Sequence, residues 1–438
     1  MTLAKVPKKP KTSKTTKSRR KSRSSATGPS KKVRARTPNA QNDCFPIVGL
    51  GASAGGLQAL TDFFVAMPDD SGMAFVAIHH VDPDHESLMA ELLAKHTKMS
   101  VVLAKDHTKV EPNHVYIIPP SYFLKIDGSI LYLTEPEARR GMRLPIDYFL
   151  QSLAKDRKEA AIAIILSGMG SDGIAGIKSI KQHGGIVLVQ NPKEAAHDGM
   201  PRSAVATGAV DHVLKINQMP KVILNFGSHP YINNGNIPMA LGDNARGSLQ
   251  DIVKVLKAHS PINFGLYKEG TVLRRIERRM ALKHMENSKD YLALLKDTPE
   301  EAELLFSDLL ISVTSFFRDP DAFKYIEKSI IKNLIENHTQ DRPIRVWVPA
   351  CASGEEVYSL AMLLIEKISS LKKNIALQIF ASDVDEHALS IARAGVYPGS
   401  IEADVSPTRL KRFFIKEGLT YHVTTELREA VIVPSLSP

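Results

Sequence analysis

The chain has 438 residues, 43% of them apolar and 24% charged, an ordinary globular composition spread over more chain than one typical domain takes. No apolar run approaches the roughly 18 residues of a membrane helix, the amino terminus has no apolar segment behind its charges, and two cysteines far apart give neither a disulfide framework nor a metal pattern, so a cytoplasmic protein is expected. The formal charge of +10 points to nucleic acid until it is located: residues 1–42 hold 14 Lys and Arg and no acid, leaving 43 basic against 47 acidic residues elsewhere, so specific nucleic-acid binding is not expected.

The tail, 1–44, lacks apolar periodicity and should be disordered by self-repulsion. From Phe45 to about Leu224, the short apolar runs FPIVGLG, MAFVAIHH, VYIIPP, AIAIILSGMG and GIVLVQ alternate with turns and helix patterns. This rhythm predicts a doubly wound α/β domain over 45–225, with its chemistry beyond the C-terminal ends of parallel strands.

The first run, Ile47-Val48-Gly49-Leu50-Gly51-Ala52-Ser53-Ala54-Gly55-Gly56, satisfies two patterns at once. Gly49, Gly51 and Ala54 fit a dinucleotide loop, whereas Gly51, Ser53 and Gly55 fit a nucleophile turn. A dinucleotide loop wants an acid at the end of the next strand for the ribose, but that strand ends in His79-His80, with Asp82 close behind. A nucleophile needs small neighbours, a base and a carboxylate to orient the base. The glycines and alanines around Ser53 supply the first, His80 the second, and Asp172 of SGMGSDG the third.

The segments IVGLGASAGG, FVAIHHVDPDH, LSGMGSDGIAGI and GMPRSAVATGAVD, in that order, resemble the catalytic domain of CheB-type chemotaxis methylesterases. The resemblance implies hydrolysis of glutamate γ-methyl esters on a chemoreceptor, often with glutamine deamidation, and no cofactor. It carries the nucleophile to Ser53, the base to His80, which immediately precedes the Val81-Asp82-Pro83 turn, with His79 as the weaker candidate, and the orienting carboxylate to Asp172. The receiver domain that usually precedes such an esterase has no counterpart in the basic tail, so control by an attached receiver is not expected.

The Asn-, Gly- and Pro-rich stretch around His229–Arg246 reads as a linker, 226–247, and 248–337 as a small all-helical domain. Within the latter, Arg274, Arg275, Arg278 and Arg279 recur near i, i+4 and form a positive stripe, and the resemblance to receptor-modifying enzymes implies an acidic receptor segment as its partner. At Ile344–Pro349 a strand signal returns, followed by a small-residue loop, a helix and a second strand ending in Asp383, the start of a Rossmann-like unit over 338–438.

INFGLYKEGTVLRRIERRM, LLISVTSFFRD, RVWVPACASGEEVYSLAM and FASDVDEHALSIARAGVY together resemble CheR-type receptor methyltransferases. The resemblance implies S-adenosylmethionine as cofactor, contacted by Thr314, Arg318, Glu356 and Asp383, with Ala350 in its loop. Ser312 stands where the family commonly has Asn. About 95 residues follow Arg342, fewer than the full sheet of such a transferase takes, so a partial module with an unpaired sheet edge is expected, in which the fold is more secure than the transferase activity. The implied partner is the cytoplasmic domain of a methyl-accepting receptor, with a histidine kinase or response regulator as further partners. The rival readings are a non-catalytic receptor-associated signalling scaffold and a dinucleotide-dependent enzyme using residues 49–56.

Overall fold

The computed structural model describes residues 45–79, 86–135, 144–233, 240–259, 262–310, 314–339 and 342–434. The basic tail, His80 and Ser312 lie outside the described residues.

Ile47–Ala52 forms β1, and helix α1 (Gly56–Ala66) returns the chain to β2 (Ala74–His79). Helix α2 (Glu86–Ala94) leads through β3 (Ser100–Leu103) and β4 (Thr108–Lys109) to β5 (His114–Ile117). A hairpin of β6 (Phe123–Asp127) and β7 (Ile130–Thr134) pairs antiparallel with β4 in a small side sheet. Then come α3 (Pro145–Arg157), β8 (Ala161–Ile165), α4 (Ile174–Gln182), β9 (Ile186–Gln190), α5 (Gly199–Val205), β10 (His212–Leu214) and α6 (Met219–Ser228).

Seven of these strands make one parallel sheet in the order β10-β9-β8-β1-β2-β5-β3. The central runs are apolar throughout because helices cover both faces. Leu60, Phe63 and Phe64 of α1 pack with Ile223 and Phe226 of α6 on one face, and Phe149, Leu150 and Leu153 of α3 with Ile177 of α4 on the other. The chain moves from β1 to β2 on one side and later fills β8 on the other. The loops leaving β1 and β8 thus diverge at a topological switch point, where α/β sheets open a crevice.

The segment read as a linker carries helix α7 (Pro230–Asn233) and the start of α8 (Ala240–His259). Tyr231 and Ile232 are buried in the first domain's core, so the chain leaves that domain packed rather than extended. Helices α9 (Glu269–Leu282), α10 (Ser288–Asp297) and α11 (Pro299–Leu309) complete a helical core with α8 around Ile252, Ile276 and Tyr291. Helix α12 (Pro320–Tyr325) runs through a π-helical turn, Ile326–Ile331, into α13 (Lys332–Glu336). The sequence groups this helix with its predecessors, but Ile331 and Ile335 pack with the α/β unit that follows.

That unit contains β11 (Ile344–Pro349), α14 (Glu355–Ser370), β12 (Leu377–Ser382), α15 (Glu386–Ala394) and β13 (Val396–Pro398). It continues with α16 (Pro407–Phe413), β14 (Phe414–Glu417), β15 (Thr420–Val423), α17 (Thr425–Glu429) and β16 (Val431–Ile432). Strands β11, β12 and β16 are parallel neighbours, while β13, β15 and β14 form a separate antiparallel sheet. Trp347 on β11 is 68% exposed.

The arginine stripe of α9 corrects the docking expectation. A helix ends with carbonyls that lack intrahelical partners, and cationic donors satisfy them well. Arg275 donates to the carbonyls of Lys181 and Gln182 at the end of α4 (both 2.9 Å), and Arg274 to that of His183 (2.8 Å). Arg278, fully buried, donates to the Gly185 carbonyl and pairs with Asp211 (2.5 Å) and Asp308 (2.6 Å), while Lys181 reaches Asp308 at 3.0 Å. Arg279 turns to Glu301 within the helical domain, at 2.6 Å. The stripe fastens the helical domain to the first domain and is not an open basic face.

Candidate active site and cofactor cavity

Ser53 leaves the C-terminal end of β1 and precedes α1, whose N-cap Gly55 has φ +71°. A side chain at Gly55 would meet the Ala196 Cβ and the Ser167 Oγ, each at 2.9 Å, in addition to the backbone strain. The loop after β8 closes on this turn. Ser53 N–H donates to the Ser167 carbonyl (3.0 Å), and the Ser167 hydroxyl donates to the Ala54 carbonyl (2.9 Å). Ser167 is in turn held by its N–H on the Gln190 side-chain oxygen at 2.8 Å. Gly168 allows the approach, since a Cβ there would lie 3.0 Å from the Ser53 Cβ.

The end of β2 supplies an imidazole to the same turn. His79 Nε2 lies 2.8 Å from the Ser53 carbonyl oxygen, and its Nδ1 is buried. A carbonyl can only accept, so Nε2 carries the proton. His80, the expected base, follows immediately in sequence.

Asp172 is almost fully buried at the N-terminal end of α3. Its carboxylate accepts the N–H groups of Ile146 and Asp147 (3.0 Å each) and of Gly173 (2.8 Å). Asp147 answers from α3 by accepting the Gly176 N–H of α4 at 2.7 Å, so two helix N-termini are capped reciprocally. Burial pushes the Asp172 carboxyl up to about 6 against those N–H donors, which favour its charged form. Burial first, and the Asp172 charge second, hold Asp147 well above the usual carboxylate range. Both carboxyls are thus raised, Asp147 the more strongly. The sequence gives no sign of Asp147, whose capping partner lies 29 residues away.

A second set of residues gathers in a cavity of about 450 Å³ lined by Thr314, Arg318, Glu355 and Tyr397, with helices α3 and α4 of the first domain opposite. Of the expected cofactor contacts, Thr314 and Arg318 are in this lining; Ala350, Glu356 and Asp383 are not. Glu356 is exposed, and its neighbour Glu355, buried and accepting from the Ser353 hydroxyl at 2.6 Å, faces the cavity. Asp383 holds the loop after β11 by accepting the Ala352 N–H (2.7 Å) and the Asp385 N–H (2.9 Å). Ala350 and Ala352 in that loop have φ +56° and +48°, a bent path that Asp383 stabilises. Burial, and then the Asp383 charge, push the Cys351 thiol up to about 11, which leaves it inert at neutral pH. A buried carboxylate, a guanidinium and a hydroxyl around a volume of this size suit a ligand bearing both a cationic centre and a carboxylate, as S-adenosylmethionine does.

Three families match successive parts of the chain: CheB methylesterase over residues 48–223, the all-alpha domain of CheR methyltransferase over 248–310, and the SAM binding domain of CheR methyltransferase over 312–436. A 104.1 kDa protein from the hypE 3' region of Rhodobacter capsulatus is 37% identical over 368 residues, covering 78% of this chain and 38% of that one. A protein-glutamate methylesterase/protein-glutamine glutaminase of Photorhabdus laumondii is 33% identical over 183 residues, covering 41% of this chain and 52% of that one. The crystal structure of the Thermotoga maritima CheB methylesterase catalytic domain is 29% identical, with a TM-score of 0.39, and covers 41% of this chain and 97% of that one. The chain thus spans 38% and 52% of the two curated relatives' lengths.

Proposed function

We propose that this chain, in which a CheB methylesterase domain precedes the all-alpha and SAM-binding domains of a CheR methyltransferase, hydrolyses glutamate γ-methyl esters on the cytoplasmic domain of a chemotaxis receptor. Ser53 is the nucleophile, His80 the base and Asp172 the orienting carboxylate. The observation that carries this reading is the clamped Ser53 turn at the switch point, held by Ser167 from one neighbouring strand and by His79 from the other.

The arrangement favours His80 over His79 as base. With Nε2 committed to the Ser53 carbonyl, the only acceptor of a neutral His79 is its buried Nδ1. His79 is therefore a positioning residue. Asp172 accepts two N–H bonds from the start of α3 and a third from Gly173, which fix the orientation of the carboxylate we assign to the imidazole.

In the reaction, His80 takes the hydroxyl proton as Ser53 Oγ attacks the ester carbonyl. The oxyanion is stabilised by backbone N–H groups of the glycine-rich loop that carries Ser53. The proton then passes from His80 to the departing methoxide, methanol leaves, and water hydrolyses the acyl-enzyme to glutamate. The same steps on a glutamine side chain release ammonia.

The CheR half takes S-adenosylmethionine, the cofactor of its family, which supplies an activated methyl group when bound. In our reading Glu355 offers that ligand a negative partner and Arg318 a positive one across the cavity. The whole acts in the cytoplasm on a receptor partner. Incubation with methylated receptor should release methanol, and Ser53→Ala should lower the rate at least about 10³-fold. No release by the intact chain would overturn the hydrolase reading in favour of a scaffold.

A further inference from the structure

Helix α4 belongs to the esterase domain, yet it is gripped at both ends by the transferase half. At its C-terminal end, Arg274 and Arg275 of α9 hold the carbonyls of residues 181–183. Just before its N-terminal end, the Ser171 hydroxyl accepts the N–H of Ser400, on the segment after β13, at 3.1 Å. Between these anchors the helix turns one stripe outward, Ile174, Ala175, Lys178, Ser179 and Gln182, while Ile177 and Ile180 face the sheet. That stripe is one wall of the 450 Å³ cavity, and Thr314, Arg318, Glu355 and Tyr397 form another. The half-buried Lys178, with Lys155 of α3, gives the esterase wall a positive charge facing a transferase wall that carries Glu355.

We propose that α4 of the esterase completes the S-adenosylmethionine cavity of the transferase, with Lys178 serving the carboxylate of the cofactor's methionine end. The inference rests on the reading of this cavity as the cofactor site and adds that the two enzymes share it. A carboxylate taken into a partly enclosed cavity loses water and needs a fixed cation, and one anchored at both ends of its helix loses little freedom on binding. Binding free energies are reciprocal, so a cofactor that leans on α4 also stabilises the esterase fold around it.

Calorimetric titration of S-adenosylhomocysteine into the full chain tests this without turnover. Lys178→Glu should weaken binding on the order of tenfold and Lys178→Gln by less, with thermal melting of the unliganded variants as the fold control. Saturating ligand should raise the melting temperature of the wild type and raise that of Lys178→Glu less. Binding to all three proteins with equal affinity overturns the shared wall and leaves the cofactor reading standing. Absence of binding to the wild type overturns both.

Discussion

His79 Nε2 and the Gly56 N–H both donate to the carbonyl oxygen of Ser53, each at 2.8 Å. The turn that presents the hydroxyl is thus fixed through its backbone from the end of β2, and the side chain is left for chemistry. Loss of the imidazole should loosen the turn without removing a proton acceptor. We expect His79→Ala to lower methanol release about tenfold, His79→Gln to recover part of it through its amide donor, and His80→Ala to cost about 10²- to 10⁴-fold, the usual range for a general base. Equal losses at both positions would contradict the division of roles.

Gly168 sits where the β8 loop meets Ser53. A methyl group there would fall 2.2 Å from Met200 Sδ and 3.0 Å from the Ser53 Cβ. Met200 is almost fully buried, so it cannot simply swing into solvent. Gly168→Ala should destabilise by roughly 1–3 kcal/mol, the usual range for overpacking, and reduce ester hydrolysis even at temperatures where the protein remains folded. Thermal melting and methanol release on the same preparation separate the two effects.

Much of the first domain was legible because parallel strands covered on both faces are written as short apolar runs, and the five runs named from sequence are β1, β2, β5, β8 and β9. The amphipathic β3 and the short β10 carry too little signal to stand out. The tight turn at Ser53 was readable because it needs small residues, but Asp172 shows no hint in sequence of capping α3, since its N–H partners lie 25 and 26 residues upstream. The choice between Glu355 and Glu356 turns on helix phase: one residue rotates a side chain by roughly 100°, and the motif does not fix where α14 begins. The arginines of α9 were misread for the opposite reason. Their spacing is right for a stripe, but the carbonyls that receive it come from a helix about 90 residues earlier.

The Asp147–Asp172 pair gives a pH signature. A carboxyl whose folded pKa is raised contributes no penalty below its unfolded value near 3.8, and destabilises increasingly as pH rises above that value while the folded form keeps its proton. Asp147→Asn removes this dependence and keeps an oxygen for the Gly176 N–H. The variant should therefore gain on the wild type by up to roughly 1.4 kcal/mol per pH unit above about pH 4, flattening near the folded pKa. Urea unfolding of both proteins between pH 4 and 8 measures the slope. A constant difference would mean that Asp147 ionises normally in the folded protein.

Arg278 is the junction between the two halves, and its removal should be felt in both. Burial pushes the Asp308 carboxyl up, but the charges of Arg278 and Lys181 outweigh it and bring it down to about 2. The stability drawn from Asp308 is thus fully present above pH 3.8 and lost only as pH falls towards 2. Arg278→Met would leave Asp211 and Asp308 with Lys181 as their remaining cation in this network, at 3.7 and 3.0 Å, and would orphan the Gly185 carbonyl. Breaking one side of a buried ion pair typically costs about 3–5 kcal/mol. Because Arg278 joins Gly185 and Asp211 of the first domain to Asp308 of the helical one, the first consequence should be separation of the domains rather than loss of either core. Limited proteolysis should then cut faster between α6 and α8 at neutral pH, with methanol release from the isolated esterase fragment retained. Unchanged cleavage would show that Arg274, Arg275 and the Lys181–Asp308 pair hold the helical domain to the esterase without Arg278.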